Sequence, residues 1–186
     1  MASQFPKISR LLHWLMAAMI LAMLFIGVAM VSSLGSYHTL VSIHRPLGIA
    51  ILLLVVVRFV NRILNPPPPL PASVSGLERF AAAASEFTMY GLMFVLPLVG
   101  WAMLSAARYP IVMFGPVHLP FILPENLAVY SFLRKAHTVL AYLFFLTFIA
   151  HFGAVLFHTL IVRDGLINRM LPWKASQQRI VAGRDN

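Results

Sequence analysis

The chain alternates long apolar segments with short polar ones. Four apolar segments are each long enough to cross a bilayer, which takes about 20 helical residues. They cover residues 11–31, 44–63, 80–107 and 130–162. Because hydrocarbon offers no hydrogen-bond partners, backbone groups must be satisfied within each segment, which predicts helices. We therefore expect an all-α fold, a transmembrane four-helix bundle forming one domain over residues 1–174, followed by a polar cytoplasmic tail at 175–186.

The segments that connect these predicted helices are rich in proline. Residues 65–75 contain five prolines and predict an extended, semi-rigid spacer between the second and third helices. Residues 105–129 form the longest connection, and we expect an ordered cap there. Pro97 predicts a kink in the third helix. The first apolar segment follows Lys7 and Arg10, as in a secretory signal, but its length predicts an uncleaved signal-anchor.

Composition agrees with lipid as the main solvent of this protein. Of 186 residues, 60% are hydrophobic and only 10% are charged, and the mean hydropathy is +0.86. A soluble domain of this length could not bury so much apolar surface. The absence of cysteine excludes disulfides, iron–sulfur clusters, thiolate zinc sites and covalently attached c-type haem. No basic, aromatic-rich soluble domain is present, so nucleic acid is not an expected partner.

Basic residues near the ends of the spans predict the orientation in the membrane. Ten of them belong to the side that carries both termini: Lys7, Arg10, Arg58, Arg62, Arg79, Arg163, Arg169, Lys174, Arg179 and Arg184. Only Arg45, Arg108, Arg134 and Lys135 belong to the other side. This asymmetry predicts that both termini are cytoplasmic. The net charge of +9 is then mostly a topology signal.

Five of the seven histidines fall on the apolar segments, and four of these, His13, His44, His137 and His151, are candidate ligands. An imidazole in hydrocarbon is costly and marks a candidate functional site. His137 and His151 are fourteen residues apart on the fourth segment, so they share one helix face and lie about 21 Å apart along the axis. His13 begins the first segment on the cytoplasmic side, and His44 begins the second on the outer side. Depth therefore pairs His44 with His137 and His13 with His151.

Bis-imidazole ligation of b-type haem explains why neutral histidines occur as depth-matched pairs on different helices. Gly48, one turn from His44, leaves a helix face open to a flat macrocycle. Arg58 lies fourteen residues after His44 on the same face, where it is a candidate partner for a propionate of the inner haem. Arg134 and Lys135 are the corresponding candidates for the outer haem. No residue is predicted to be catalytic, because the haems would carry the chemistry.

Other interpretations of these polar residues remain open. Zinc is an alternative metal for these histidines to bind, although carboxylate and thiolate co-ligands are lacking at these depths. Glu86 is either a proton-handling group or the partner of a nearby arginine. His158 lies seven residues past His151, about 10 Å deeper, and either binds a quinone carbonyl or is an interfacial histidine without that role. His38 and His118 are expected to be solvated.

Five stretches of the chain carry a family resemblance through their order and spacing. They are RLLHWLMA around His13, HRPLGI from His44, VVRFVNR around Arg58, KAHTVLAY around His137, and residues 151–158. Over about residues 7–174 the chain resembles the bacterial cytochrome b561 family, four-helix di-haem b proteins of the inner membrane. The resemblance implies two non-covalent haems b with His13, His44, His137 and His151 as axial ligands.

The resemblance also implies one-electron transfer from a periplasmic donor to ubiquinone in the lipid. One branch of the family is similar to superoxide oxidases, which pass an electron from superoxide to ubiquinone. Those members carry a further histidine early in the third helix, where this chain has Ser85 and Glu86. The basic residues Arg45, Arg134 and Lys135 around the outer haem would attract an anion such as superoxide, or an acidic protein. A superoxide:ubiquinone oxidoreductase is therefore one hypothesis for the activity.

A second hypothesis is a membrane-anchor subunit that relays electrons for a periplasmic oxidoreductase. Family members related to the cytochromes of hydrogenase and formate dehydrogenase work in that way. A haem-free transporter is disfavoured, because many alternating-access transporters are built from inverted repeats, and these four helices show none.

Overall fold

Four long helices make up most of the computed structural model, which describes residues 4–72, 74–113 and 115–171. They are α1 (Lys7–Ser32), α2 (Tyr37–Leu64), α3 (Gly76–Ala106) and α4 (Leu127–Leu156). Each is long and apolar enough to span a membrane, which confirms the predicted transmembrane four-helix bundle. A 3-10 turn (Leu34–Ser36) joins α1 to α2, and β1 (Ile111–Val112) pairs antiparallel with β2 (His118–Leu119). The predicted tail at 175–186 lies outside the described residues.

All four helices begin earlier than hydropathy predicted, and α1 starts at Lys7 rather than at residue 11. The second helix starts at Tyr37 rather than near His44, so Pro46 lies inside it. The third starts at Gly76, and the fourth at Leu127. The predicted bounds were wrong at these ends because hydropathy marks only the turns that lie in hydrocarbon, whereas the helices continue into the polar interface.

Side-chain caps fix two of these earlier starts. The Ser75 hydroxyl accepts a hydrogen bond from the backbone N–H of Glu78 (3.3 Å), and the Ser75 N–H donates to the Glu78 carboxylate (2.7 Å). This reciprocal pair is a capping box, and the spacing Ser-x-x-Glu is its sequence signature. At the start of α4, the Asn126 side-chain oxygen accepts from the N–H groups of Ala128 and Val129, each at 3.0 Å.

The four helices do not pack equally closely. Helix α1 packs on α2 and α3 packs on α4, with α2 and α3 joining the two pairs. Over the described ranges, the α4 backbone makes only a sparse approach to α1 and α2. A small central core connects all four helices: Met16, Ile20, Ile51, Val55, Leu92, Met93 and Phe144. Most other apolar side chains are exposed and face lipid, as Leu53 and Leu146 do.

The α4 helix does not end the described chain. It continues as one π-helical turn (Phe157–Val162), and a 3-10 turn follows at Leu166–Arg169. We call residues 166–171 the closing segment, because it returns to the start of α1. The Arg10 guanidinium donates to the Leu171 carbonyl (2.8 Å), and the Trp14 indole donates to the Met170 carbonyl (2.8 Å).

The proline-rich connection is also tied to the closing segment. Arg169, only 4% exposed, donates to the carbonyl groups of Pro68 (2.6 Å) and Pro69 (3.0 Å). The extended backbone at this point leaves its carbonyl groups free of internal hydrogen bonds, so they can accept from an arginine. The spacer is therefore part of an ordered N-terminal end of the bundle.

The opposite end of the bundle is covered by the β1–β2 hairpin, and we call it the hairpin end. The Trp101 indole donates to the Pro120 carbonyl (2.9 Å), and the Ser105 hydroxyl accepts from the Ile122 N–H (3.2 Å). Both anchoring side chains belong to the last turns of α3, which runs continuously through Pro97. These contacts form the ordered cap that the sequence predicted.

Candidate functional site

The rings of His44 and His137 meet at the hairpin end. Their centroids are 6.2 Å apart and their planes differ by 65°. Both Nδ1 atoms are buried, and neither has a hydrogen-bond partner within the part of the chain that the structure describes. A buried polar atom without a partner is costly, which makes this pair a candidate ligand site.

The separation of the two rings tests whether they suit one metal centre. Two imidazoles on opposite sides of one ion, each with a nitrogen about 2 Å from it, have centroids about 6 Å apart. The 6.2 Å separation of His44 and His137 matches that value.

Helix α3 supports His137 through a bare stretch of backbone. A Cβ atom on Gly100 would lie 3.4 Å from Cε1 and 3.6 Å from Nδ1 of His137. The ring also lies against the main chain of Leu96. Sequence reasoning missed Gly100, although its place near the outer end of α3 matches the depth of His137. Gly48, predicted to make room for a macrocycle, instead faces α1, where its Cβ would lie 3.7 Å from Met23 Cε.

The second predicted pair has a different arrangement around Arg58. The Arg58 Nη2 atom lies 3.1 Å from Nδ1 of His13, and its Nε donates to the Tyr90 hydroxyl at 2.9 Å. His151 lies within electrostatic range of both His13 and Arg58. The structure thus gathers both predicted inner ligands near one arginine. The sequence predicted that Arg58 pairs with a haem propionate, but its guanidinium contacts the predicted ligand His13 instead.

The contact of Arg58 with His13 has a chemical consequence. A guanidinium only donates hydrogen bonds, so Nδ1 of His13 must accept, and a neutral ring then carries its proton on Nε2. Ligation through Nε2 requires the proton on Nδ1 instead. The ring therefore suits a metal only after Arg58 moves to another partner.

Glu86 is the partner of a nearby arginine, which confirms one of its two predicted roles. Its carboxylate oxygens lie 2.6 and 2.8 Å from the two terminal nitrogens of Arg62, so the pair is bidentate. The neighbouring Ser85 hydroxyl is buried and has no hydrogen-bond partner among the described residues. Arg58, one turn from Arg62, contacts two rings and, among the described residues, no carboxylate. Its positive charge therefore lacks the compensation that Arg62 has.

His158 lies on the π-helical turn and has a carboxylate partner. Its Nδ1 is 2.6 Å from Asp164, whose other oxygen accepts from the Leu166 N–H at 3.0 Å. Burial raises the pKa of Asp164, but the hydrogen bonds from Leu166 and His158 outweigh it and hold the pKa below its ordinary value. Left-handed backbone at Arg163 (φ +56°) and Gly165 (φ +73°) turns the carboxylate back toward the ring. Sequence reasoning missed Asp164. Gly165, which follows it, was a signal in the sequence for a turn at this position.

Arg134 and Lys135 are exposed on α4 near the hairpin end. With Ser131 and Thr138 they line a shallow groove, and we call these four residues the polar stripe. The spacing of three and four residues places the four side chains on one face of the helix. The polar stripe thus offers its positive charge to the surface. His38 and His118 are exposed, as predicted.

Comparison with known proteins gives the family. A family model described as prokaryotic cytochrome b561 matches residues 4–173. The chain belongs to the prokaryotic cytochrome b561 family. Cytochrome b561 homolog 2 of Escherichia coli (strain K12) is 33% identical over 172 residues, which cover 90% of this chain and 91% of that protein. The probable superoxide oxidase CybB of Yersinia pestis is 29% identical over 132 residues, covering 71% and 74%.

As a cytochrome b561, the protein is a haem b electron carrier and a multi-pass protein of the bacterial inner membrane. Haem b supplies reversible one-electron transfer. The buried, unpaired nitrogens of His44 and His137 and their separation fit such a group. The residues around His13 fit it once Arg58 has another anionic or polar partner.

Proposed function

We propose that the chain carries two haems b, one held by His44 and His137 and one by His13 and His151. The observation that carries this proposal is the outer pair, with its 6.2 Å centroid separation and its two buried, unpaired Nδ1 atoms. The fourteen-residue spacing on α4 then puts the second ligand level about 21 Å away.

Arg58 has a defined part in the proposed inner site. It leaves Nδ1 of His13 and pairs with a haem propionate, which frees the histidine to take the ligating tautomer. The exchange also gives the arginine the anionic partner that an intramembrane cation needs. Tyr90, whose hydroxyl accepts from Nε of Arg58, keeps the guanidinium near the site.

We further propose that the N-terminal end faces the cytoplasm and that electrons pass from a periplasmic donor to ubiquinone. The excess of basic residues on the N-terminal side supports this orientation. Near that end, the Asp164 carboxylate contacts Nδ1 of His158, so Nε2 of the same ring is available to hydrogen-bond a quinone carbonyl. Aspartate pairing also orients the ring for that contact.

Superoxide is the candidate donor with the most support. The likeness to a probable superoxide oxidase favours it, and the exposed charges of Arg134 and Lys135 at the hairpin end would attract an anion. The third helix departs from the superoxide oxidase pattern at Ser85 and Glu86, and Glu86 is engaged by Arg62.

Haem counting tests the ligand assignment. Purified protein should contain two haems b per chain by pyridine haemochrome, and ubiquinone should be reduced when superoxide is supplied. His44→Ala and His137→Ala should each lose the same haem, whereas His13→Ala and His151→Ala should each lose the other. A variant of one pair that retains both haems would contradict the pairing.

The anchor-subunit function is a second candidate, favoured by the exposed polar stripe. Arg134 and Lys135 lie side by side on a surface that an acidic protein could cover. An anchor would show no superoxide oxidation when purified alone, and its reduction by a bound periplasmic oxidoreductase would weaken in Arg134→Gln/Lys135→Gln. Superoxide oxidation by the isolated protein would exclude this alternative.

A further inference from the structure

One face of α4 carries a polar or aromatic group at every seventh residue. The series is His137, Phe144, His151 and His158, with successive members about 10 Å apart along the axis. The three histidines form a polar file along this face of the helix. Phe144 interrupts this file at its second position.

On two other helices, the residue seven positions after the candidate ligand lies at the level of Phe144. Ile20 lies seven residues after His13 on α1, and Ile51 lies seven residues after His44 on α2. Ile20, Ile51 and Phe144 are 3%, 4% and 6% exposed, and all three belong to the central core. They therefore form one apolar layer midway between the two histidine levels.

Apolar side chains pack against this layer. Met19, Met23, Leu47 and Phe148 are among the partly buried hydrophobic residues around the core, and Tyr90 is another. Its hydroxyl already accepts from Arg58 and points to the inner histidine level. Water enters a cavity only where several polar partners await it, so a close-packed apolar layer stays dry.

We propose that Ile20, Ile51 and Phe144 form a proton seal across the middle of the bundle. The seal keeps water and protons from passing between the two histidine levels, so the protein can carry electrons across the membrane without carrying protons. The inference rests on the proposed function for the two haem levels, and it adds the separation of the proton supplies at the two ends. Phe144 is its central member because it alone breaks the file on α4.

Proton flux across liposomes tests the seal. Holoprotein is reconstituted with a pH-sensitive dye inside, and a potassium diffusion potential drives protons inward. The internal pH of wild-type vesicles should stay as constant as that of protein-free ones, and Phe144→Ser vesicles should acidify. Phe144→Leu keeps the layer apolar and should remain tight. The matched control Phe145→Ser changes the next residue, which is 39% exposed to lipid, and should also remain tight.

Thiol labelling gives a second measure, and its first comparison uses Ile51→Cys and Ser42→Cys with Phe144 unchanged. The chain has no cysteine, so Ile51→Cys is a single reporter in the layer. The thiolate is the reactive form, and apolar surroundings raise the thiol pKa, which cuts the labelling rate about tenfold per unit. A water-soluble maleimide should spare Ile51→Cys and label Ser42→Cys at the exposed start of α2. Adding Phe144→Ser should make Ile51→Cys reactive.

The outcomes separate the seal from the haem assignment. Leaky wild-type vesicles, fast labelling of Ile51→Cys, or a Phe144→Ser protein that stays tight and unlabelled would each overturn the seal. Haem counted in the same preparations tests the proposed function independently. Fewer than two haems in a tight wild-type protein would refute the di-haem assignment and leave the seal standing.

Discussion

Arg58 should raise the midpoint potential of the inner haem, because its guanidinium lies beside the predicted ligand His13 and pairs with no carboxylate among the described residues. A positive charge favours the reduced iron, which carries one positive charge fewer. Arg58→Gln removes the charge and keeps a hydrogen-bonding side chain of intermediate length. We expect the potential of the inner haem to fall.

The contact of Arg58 with His13 gives an upper limit for this shift, because the guanidinium turns from His13 to a propionate when the proposed inner haem binds. The guanidinium nitrogen is 3.1 Å from Nδ1 of His13, and an iron bound to the far nitrogen of that ring lies about 4 Å beyond it. A charge about 7 Å from the iron, at an effective dielectric constant of about 20, contributes about 2 kcal/mol. For a one-electron couple, in which 59 mV is a factor of ten, this equals a shift of about 100 mV.

Redox potentiometry on the haem b absorption band measures this shift, with two components resolved per protein. Arg58→Lys retains the charge and should shift the potential far less. The double variant Arg62→Gln/Glu86→Gln removes a bidentate pair of no net charge one turn away, and is the matched control. An unchanged inner potential in Arg58→Gln, or equal shifts of both components, would refute the placement of Arg58 at the inner haem.

Three further outcomes test other parts of the structure. Gly100→Val crowds the His137 ring, and loss of ligand orientation should weaken retention of the outer haem about 10- to 100-fold, measured as haem lost to an acceptor globin, with the inner haem as internal control. The lowered pKa of Asp164 means that its ionised form stabilises the fold above its unfolded pKa of about 4, and this stability is lost as the pH falls through the lower folded pKa. Thermal unfolding of Asp164→Asn should therefore depend less on pH below about 5 than that of the wild type, and an unchanged profile would contradict the His158 contact. Ser75→Ala should destabilise the protein by about 1 kcal/mol through the lost cap, seen as faster amide exchange in the first turn of α3.

The histidine pairs were largely predictable because membrane depth is one-dimensional. The spacing on α4 and the order of the spans suffice to predict that His44 and His137 share a level, and the structure brings their rings into contact. Helix ends were less predictable, because the polar first turns of α2 carry no hydropathy signal. The Ser75 capping box was readable in the sequence but lies outside the apolar run.

Contacts that depend on the rotation of one helix against another were not predictable. Gly100 contacts His137 because of the rotation of α3 about its own axis relative to α4. Nothing in the α3 sequence specifies this rotation. The position of Arg58 on His13 likewise depends on a side chain long enough to reach several groups. Asp164 reaches His158 only because two residues adopt left-handed backbone after an irregular π-helical turn.

The closing segment has a consequence for biosynthesis. The carbonyl groups that Arg10 and Trp14 bind lie 161 and 156 residues further along the chain. While translation proceeds, the first helices enter the membrane before these two carbonyl groups have been made. The bundle can therefore close only after α4 has been inserted, and a chain arrested earlier lacks these acceptors for the Arg10 guanidinium and the Trp14 indole.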